Sequence, residues 1–353
     1  MWEMHRKMKC ALIMLVVTML SACSGREVNQ RAFVQLMGIE KNGGNYVVQM
    51  QMYTPMSSDG APDISQTNSS SVSGSGATVY DAISDAELSV GKTMFLGHTK
   101  LIILGKGIKE PAKELSAFLD GTISPACPVV YSNDVGAVIS AETTKGLFSA
   151  DNILKTMDVY ARSGKCLYTT IAGVEENLSC LDAAVPLPVI NSDGSTVCFN
   201  GAILARSDSI SGRISSDDMT GVKILCDDIK RDAEIILPVK VGEKTAAVQI
   251  LNADITKNAA EENGRLKITA DVCVKIHIAE NRDKLSREQI SEAVCRSIRD
   301  SCISAFSTAV WSEECDIFGI SKLVRRDRPN IAYNQDTLKN SVLIINVTSK
   351  YNN

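Results

Sequence analysis

From Arg265 to Ile278 the chain alternates almost without error. Leu266, Ile268, Ala270, Val272, Val274, Ile276 and Ile278 fall on one side, and Arg265, Lys267, Thr269, Asp271, Cys273, Lys275 and His277 on the other. Side chains of a strand point to opposite faces in turn, so this is a long β-strand with one face in a core and one in water. A helix follows. Ser286-Arg287-Glu288-Gln289 has the capping-box pattern, and Ile290, Val294, Ile298, Cys302, Ala305 and Ala309 make an apolar stripe at helical spacing over about six turns. Val342 to Thr348 reads as a last strand and Ala246 to Ile255 as an earlier one. The order strand, strand, long helix, strand predicts an antiparallel sheet with one face covered by the helix.

The earlier part of the chain mixes both kinds of element. Phe33 to Ile39 and Tyr46 to Tyr53 read as strands joined by the turn Lys41-Asn42-Gly43-Gly44. Residues 57–76, rich in Ser, Asp and Gly, read as a loop or a polar edge strand. Thr78 to Asp81 looks like a capping box, opening a helix that Gly91 ends. Thr99 to Leu104 suggests a buried strand, Pro111 to Gly121 a short helix and Val129 to Ser132 a further strand. The expected class is α+β and multi-domain: a mixed α/β N-terminal region, then the C-terminal antiparallel sheet under one long helix. The boundaries expected are 1–22 for a leader, 23–190 for the N-terminal domain, 191–240 for a middle region and 241–353 for the C-terminal domain, with the break placed at the Pro-bearing stretch 183–188.

The leader has its own signature. Arg6, Lys7 and Lys9 precede an uncharged run from Cys10 to Leu20, the order of a secretory signal and about half the length that spanning a bilayer needs. Leu20-Ser21-Ala22-Cys23 resembles the lipobox of bacterial lipoproteins, which implies acylation of Cys23 as the first mature residue. Two or more acyl chains anchor a protein stably where one does not. The expectation is a body on the outer face of a membrane, held by lipid. Loss of residues 1–22 moves the net charge from −4 to −6, a poor balance for nucleic acid.

A search for chemistry returns little. The nine cysteines after Cys23 include no CxxC pair, and Cys295 and Cys302, seven apart on a helix, stand about 10 Å apart, too far for a disulfide. His98 and His277 are the only histidines after Cys23, and His277 falls on the polar face of its strand. Val90-Gly91-Lys92-Thr93 imitates a phosphate loop, but Ala86 stands where that loop needs glycine and a helix precedes it. Lys322 to Arg328 has charge that could approach phospholipid headgroups, but Asp327 interrupts it and the body is acidic, so it reads as a solvated loop. No enzyme, metal or cofactor is expected.

Five segments, in order, resemble the Ger(x)C family, the lipoprotein C subunits of spore germinant receptors. They are Arg26-Glu27-Val28; Phe33 to Tyr53; Gly97-His98-Thr99-Lys100 to Gly105; Gly201-Ala202-Ile203-Leu204 to Ile214; and Asp316-Ile317-Phe318-Gly319-Ile320. Ser24 and Gly25 replace the family's Trp-Asp after the lipid cysteine, and Ser321 replaces a second glycine in the last motif. The resemblance implies a non-enzymatic subunit on the outer surface of the spore inner membrane, working with A-type and B-type membrane subunits in nutrient sensing. His98 and Gly105 are expected to serve turn and core packing. The competing reading is a lipid-anchored solute-binding protein of a transporter, which should show two repeated parallel lobes; a lipid-anchored hydrolase lacks the histidines it would need.

Overall fold

The structure, a computed structural model, describes residues 30–58, 61–118, 120–143, 149–178, 183–194, 196–229 and 233–352. The leader and Cys23 lie outside the described residues.

The hairpin expected over 31–53 is β1 (Arg31–Asn42) with β2 (Asn45–Ser58), turning on Gly43 and Gly44 at positive φ. The Ser/Gly-rich stretch is a strand, β3 (Ala61–Gly76), on the sheet's edge. Its glycines have a packing reason. Helix α1 (Val79–Val90) lies directly on the β3 backbone, and a Cβ on Gly74 would stand 2.2 Å from the Ala82 carbonyl oxygen. Thr78 caps α1 by accepting the Asp81 N–H at 3.1 Å, but Asp81 reaches back to the Ala77 N–H (2.8 Å) and not to that of Thr78, so the box is offset by one residue. Gly91 closes the helix at φ 69°, where a left-handed cap favours glycine.

Next come β4 (Thr93–Phe95), a 3-10 turn over Leu96–His98, and β5 (Leu101–Leu104). Both strands run parallel to β1, β4 beside Arg31–Phe33 and β5 beside Leu36–Ile39. Then follow α2 (Pro111–Ser116), β6 (Val129–Tyr131), α3 (Val135–Thr143), α4 (Ser149–Arg162), α5 (Ile171–Leu178), β7 (Val185–Ser192), β8 (Val197–Ala205) and β9 (Ile210–Ile214). The sheet order is β3-β2-β1-β5-β6-β7-β8-β9, a parallel centre between two antiparallel hairpin edges. β6 and β7 share one ladder pair, Tyr131 with Val189. One face carries α1, α2 and α5, and the other α3 and α4.

The second sheet holds β10 (Ile235–Val241), β11 (Lys244–Glu262), β12 (Arg265–Glu280) and β13 (Val342–Tyr351) in that order. Asn263 and Gly264, both at positive φ, make the tight β11–β12 turn. On β12 the alternation holds: Leu266 to Ile276 are buried on the even positions, while Lys275 and His277 are exposed. Helix α7 (Arg287–Phe306) covers the buried face, opened by a complete capping box between Ser286 and Gln289 (3.2 and 2.9 Å). Beyond it lie a π turn (Ser307–Ser312), α8 (Ile320–Asp327) and α9 (Gln335–Lys339).

The α+β class holds, with one correction: β13 runs parallel to β12, so the sheet is mixed and not antiparallel throughout. Alternation fixes which face is buried and says nothing of strand direction. The long crossover through α7, α8 and α9 returns the chain to the end where β12 began, and such a crossover makes a parallel neighbour. Residues 191–240 are shared between the sheets. β8 and β9 complete the first, whereas α6 (Met219–Leu225) and β10 go with the second. The core under α7 also takes in Ala202 and Leu204 of β8, so the two halves share apolar surface.

Candidate functional site: the joint between the two sheets

Two segments singled out in the sequence, 201–214 and 316–320, both lie where the halves join, the first against residues 313–315 and the second against Ala183 and Ala184. Asp316 is 2 % exposed. Its Oδ1 accepts the Ile320 N–H at 2.8 Å, and its Oδ2 accepts the Ser321 N–H at 2.7 Å and the Tyr333 hydroxyl at 3.2 Å. Two amide donors at the start of α8, one hydroxyl and the positive end of the helix dipole offset the burial of the carboxylate. Its own carbonyl accepts the Ala184 N–H at 3.1 Å, and Ala183 and Asp316 form a β-bridge. One residue thus caps a helix of the second half and pins the chain entering β7 in the first.

Arg206, just past β8, makes a second tie. Its guanidinium donates to the carbonyls of Glu313 (2.6 Å) and Glu314 (2.8 Å) and to Cys315 Sγ (3.3 Å). Gly212 passes so close that a Cβ there would meet the Glu313 carboxyl at 2.5 Å. Lys257, on β11, donates to the carbonyls of Leu225 (2.9 Å) and Phe318 (2.8 Å), and no carboxylate pairs with it among the described residues. Burial holds its ammonium pKa below the usual lysine value, partly opposed by Cys226 and the charge of Asp316. The Phe318 ring stacks on Phe306 of α7, with centroids 5.7 Å apart. Lys223 and Asp228 pair at 2.7 Å nearby.

These groups flank a cleft of about 350 Å³ between the halves, bounded by Thr169, Thr170 and Asn177 on one side and Lys257, Phe318 and Gly319 on the other. Three of the polar groups that face it are engaged within the first half. Thr169 Oγ1 donates to the Pro186 carbonyl (2.7 Å), Thr170 Oγ1 accepts the Gly173 N–H (3.1 Å), and the Asn177 amide donates to the Gly173 carbonyl (2.8 Å). Burial pushes the Cys226 thiol to about 12, far from a thiolate nucleophile. The arrangement fixes two bodies against each other.

The chain matches two family descriptions: "Spore germination protein N-terminal domain" over residues 24–178, and "Spore germination B3/ GerAC like, C-terminal" over residues 200–352. The chain belongs to the Ger(x)C family of spore germination proteins. Within it, the chain is 22 % identical over 330 residues to "Putative spore germination protein YfkR" of Bacillus subtilis (strain 168), covering 84 % of this chain and 82 % of that protein. The crystal structure of the GerBC protein superposes with a TM-score of 0.60 at 14 % identity, covering 90 % of this chain and 97 % of that one, and so shares the fold.

The other Ger(x)C positions fall elsewhere. Cys23 is outside the described residues. Gly105 is packing as expected, since a Cβ there would strike Glu40 at 2.4 Å. His98 is not core packing: it is exposed, in a cluster of rings at the start of β1. The run 322–328 is no loop but α8 and its C-cap. There Asp327 accepts the Ala259 N–H (2.9 Å), Arg326 donates to the Lys257 carbonyl (3.0 Å), and Lys322 pairs with Glu176 (3.4 Å). Lys257 and Arg206 were not singled out from the sequence. A lone lysine in a strand and an arginine in a turn carry no pattern until their carbonyl partners, far along the chain, are in place.

Proposed function

We propose that this chain is a lipid-anchored, non-enzymatic subunit of a spore germinant receptor, needed for nutrient-triggered germination. It is held at the outer face of the spore inner membrane by acyl chains on Cys23. Its partners are A-type and B-type membrane subunits of the receptor. The observation that carries this reading is that the two spore germination domains follow in order and begin at residue 24, directly behind Leu20-Ser21-Ala22-Cys23. The joint supports it: its polar groups serve a fixed relation between two bodies, which suits a subunit that works by surface complementarity. The two sheets differ in strand number and order, which does not favour the repeated lobes of a solute-binding protein. Deleting the gene should abolish the response to one class of nutrient while non-nutrient triggers still act, and the tagged protein should co-purify with A-type and B-type subunits from spore membranes. Unchanged nutrient germination together with no such association refutes the reading.

A further inference from the structure

The end of the first sheet where β1 begins carries a group of side chains that the joint does not use. Phe33 stacks on Tyr53 with ring centroids 5.2 Å apart, Phe95 meets Phe33 edge-on at 5.5 Å, and His98 lies 5.2 Å from both Phe33 and Phe95. Tyr53 Oη and His98 Nδ1 are 2.9 Å apart, and the Arg31 guanidinium sits 5.7 Å from the centre of the Phe95 ring. None of the five is buried: four are half-buried and His98 is exposed. The last turn of α1 adjoins them, since the Met94 N–H on β4 donates to Glu87 Oε1 at 2.7 Å. On that turn Leu88 is 82 % exposed.

Half-buried rings with a hydroxyl, an imidazole and a guanidinium among them suit the boundary between water and lipid, where an apolar body and a polar tip are both satisfied. Arg31, and Lys92 beside β4, add charge of the sign that anionic headgroups attract. The position along the chain selects the occupant. Arg31 stands eight residues after Cys23, so the intervening chain reaches at most about 29 Å, and an acylated Cys23 keeps this end of the body at the membrane.

We propose that the Arg31, Phe33, Tyr53, Phe95 and His98 cluster, with Leu88 beside it, is the surface on which the body rests against an anionic lipid bilayer. A tether alone leaves the body free to tumble; a tether with an adjacent footing fixes which face points away from the membrane. The proposal rests on the lipid-anchor reading.

The test places tryptophan reporters in the lipidated full-length protein, one at a time, as Leu88→Trp, Phe95→Trp and, on exposed β10, Ile236→Trp. The vesicles are phosphatidylglycerol and phosphatidylcholine with brominated acyl chains. Emission from the first two should fall at least twofold relative to unbrominated vesicles, and that from Ile236→Trp should not change. Adding Arg31→Glu and Leu88→Ser to Phe95→Trp should remove the quenching without lowering the melting temperature. No quenching at positions 88 and 95, or equal quenching at all three, overturns the proposal. So does shielding of these reporters from iodide only when membrane subunits are added, which would make the cluster a protein contact. Intact mass reports acylation separately. If Cys23 proves unmodified, the anchor reading fails by itself, and the chain from residue 24, held by an N-terminal hexahistidine on nickel-chelating brominated vesicles, tests the footing independently.

Discussion

The ammonium nitrogen of Lys257 lies 2.8 Å from the carbonyl oxygen of Phe318, tying the middle of β11 to the loop that starts α8. Burial makes the folded protein hold this proton less tightly than the unfolded chain does. Across the window from the lowered value up to 10.5, the unfolded chain therefore binds more proton, and stability rises with pH; it is lost as pH falls through the same window. A neutral amine still donates to both carbonyls, so the joint survives deprotonation. The wild type should gain melting temperature relative to Lys257→Met as pH approaches 10.5, measured by paired thermal scans. A difference that stays flat with pH contradicts the assignment.

Asp316 accepts from three donors, the buried N–H groups of Ile320 and Ser321 and the half-buried Tyr333 hydroxyl. Asp316→Ala should cost about 2–4 kcal/mol, because removing one partner strands the others. Asp316→Asn keeps one oxygen and should lose less. Urea denaturation with an unchanged m-value is the measurement. A loss under about 1 kcal/mol for the alanine variant would show that water replaces the carboxylate.

Neighbouring residues on β12 should respond in opposite ways. Ile276 is fully buried beneath α7, and Lys275 is exposed beside Lys350 of β13. Ile276→Asp should destabilise by more than about 4 kcal/mol or prevent folding, since it buries an unpaired charge. Lys275→Asp should change stability by about 0.5 kcal/mol or less. Similar melting losses for both would refute the assigned faces.

Cys23→Ala should move the protein from the membrane fraction to the soluble one without changing its melting temperature. Fatty-acid labelling of the wild type is the companion measurement. A wild type that takes up no label removes the anchor.

Periodicity made part of this legible in advance. Strand β12 and helix α7 bury one face each, so their patterns are simple and their caps local. The hairpin of β1 and β2 was readable because Gly43 and Gly44 mark its turn. Less was readable where an element packs on two sides or against backbone. For strand β3 the sequence leaves loop and polar edge strand undecided, because Gly74 and Gly76 make room for α1 while offering no side chains of their own. Helix α4 does carry a stripe, Ile153, Met157 and Ala161, all buried, which a reading centred on strands passes over. The joint was legible only as quoted motifs. Its energetics lie in side chains donating to carbonyls, such as Arg206 to Glu313 and Lys257 to Leu225, and such pairings leave no periodic trace.

The single rung between Tyr131 and Val189 gives the first sheet a mechanical character. A pull on the chain ahead of β1 enters a block in which β2, β1 and β5 are cross-linked along their lengths, and that block resists shear. Beyond β6 the ladder narrows to one residue pair, supplemented by the Val129 N–H on the Thr169 carbonyl and the Thr169 hydroxyl on the Pro186 carbonyl. Load from the end where β1 begins then crosses to β7, β8 and the joint mainly through packed side chains and α3, which makes this seam a lightly bonded line between the two parts of the sheet.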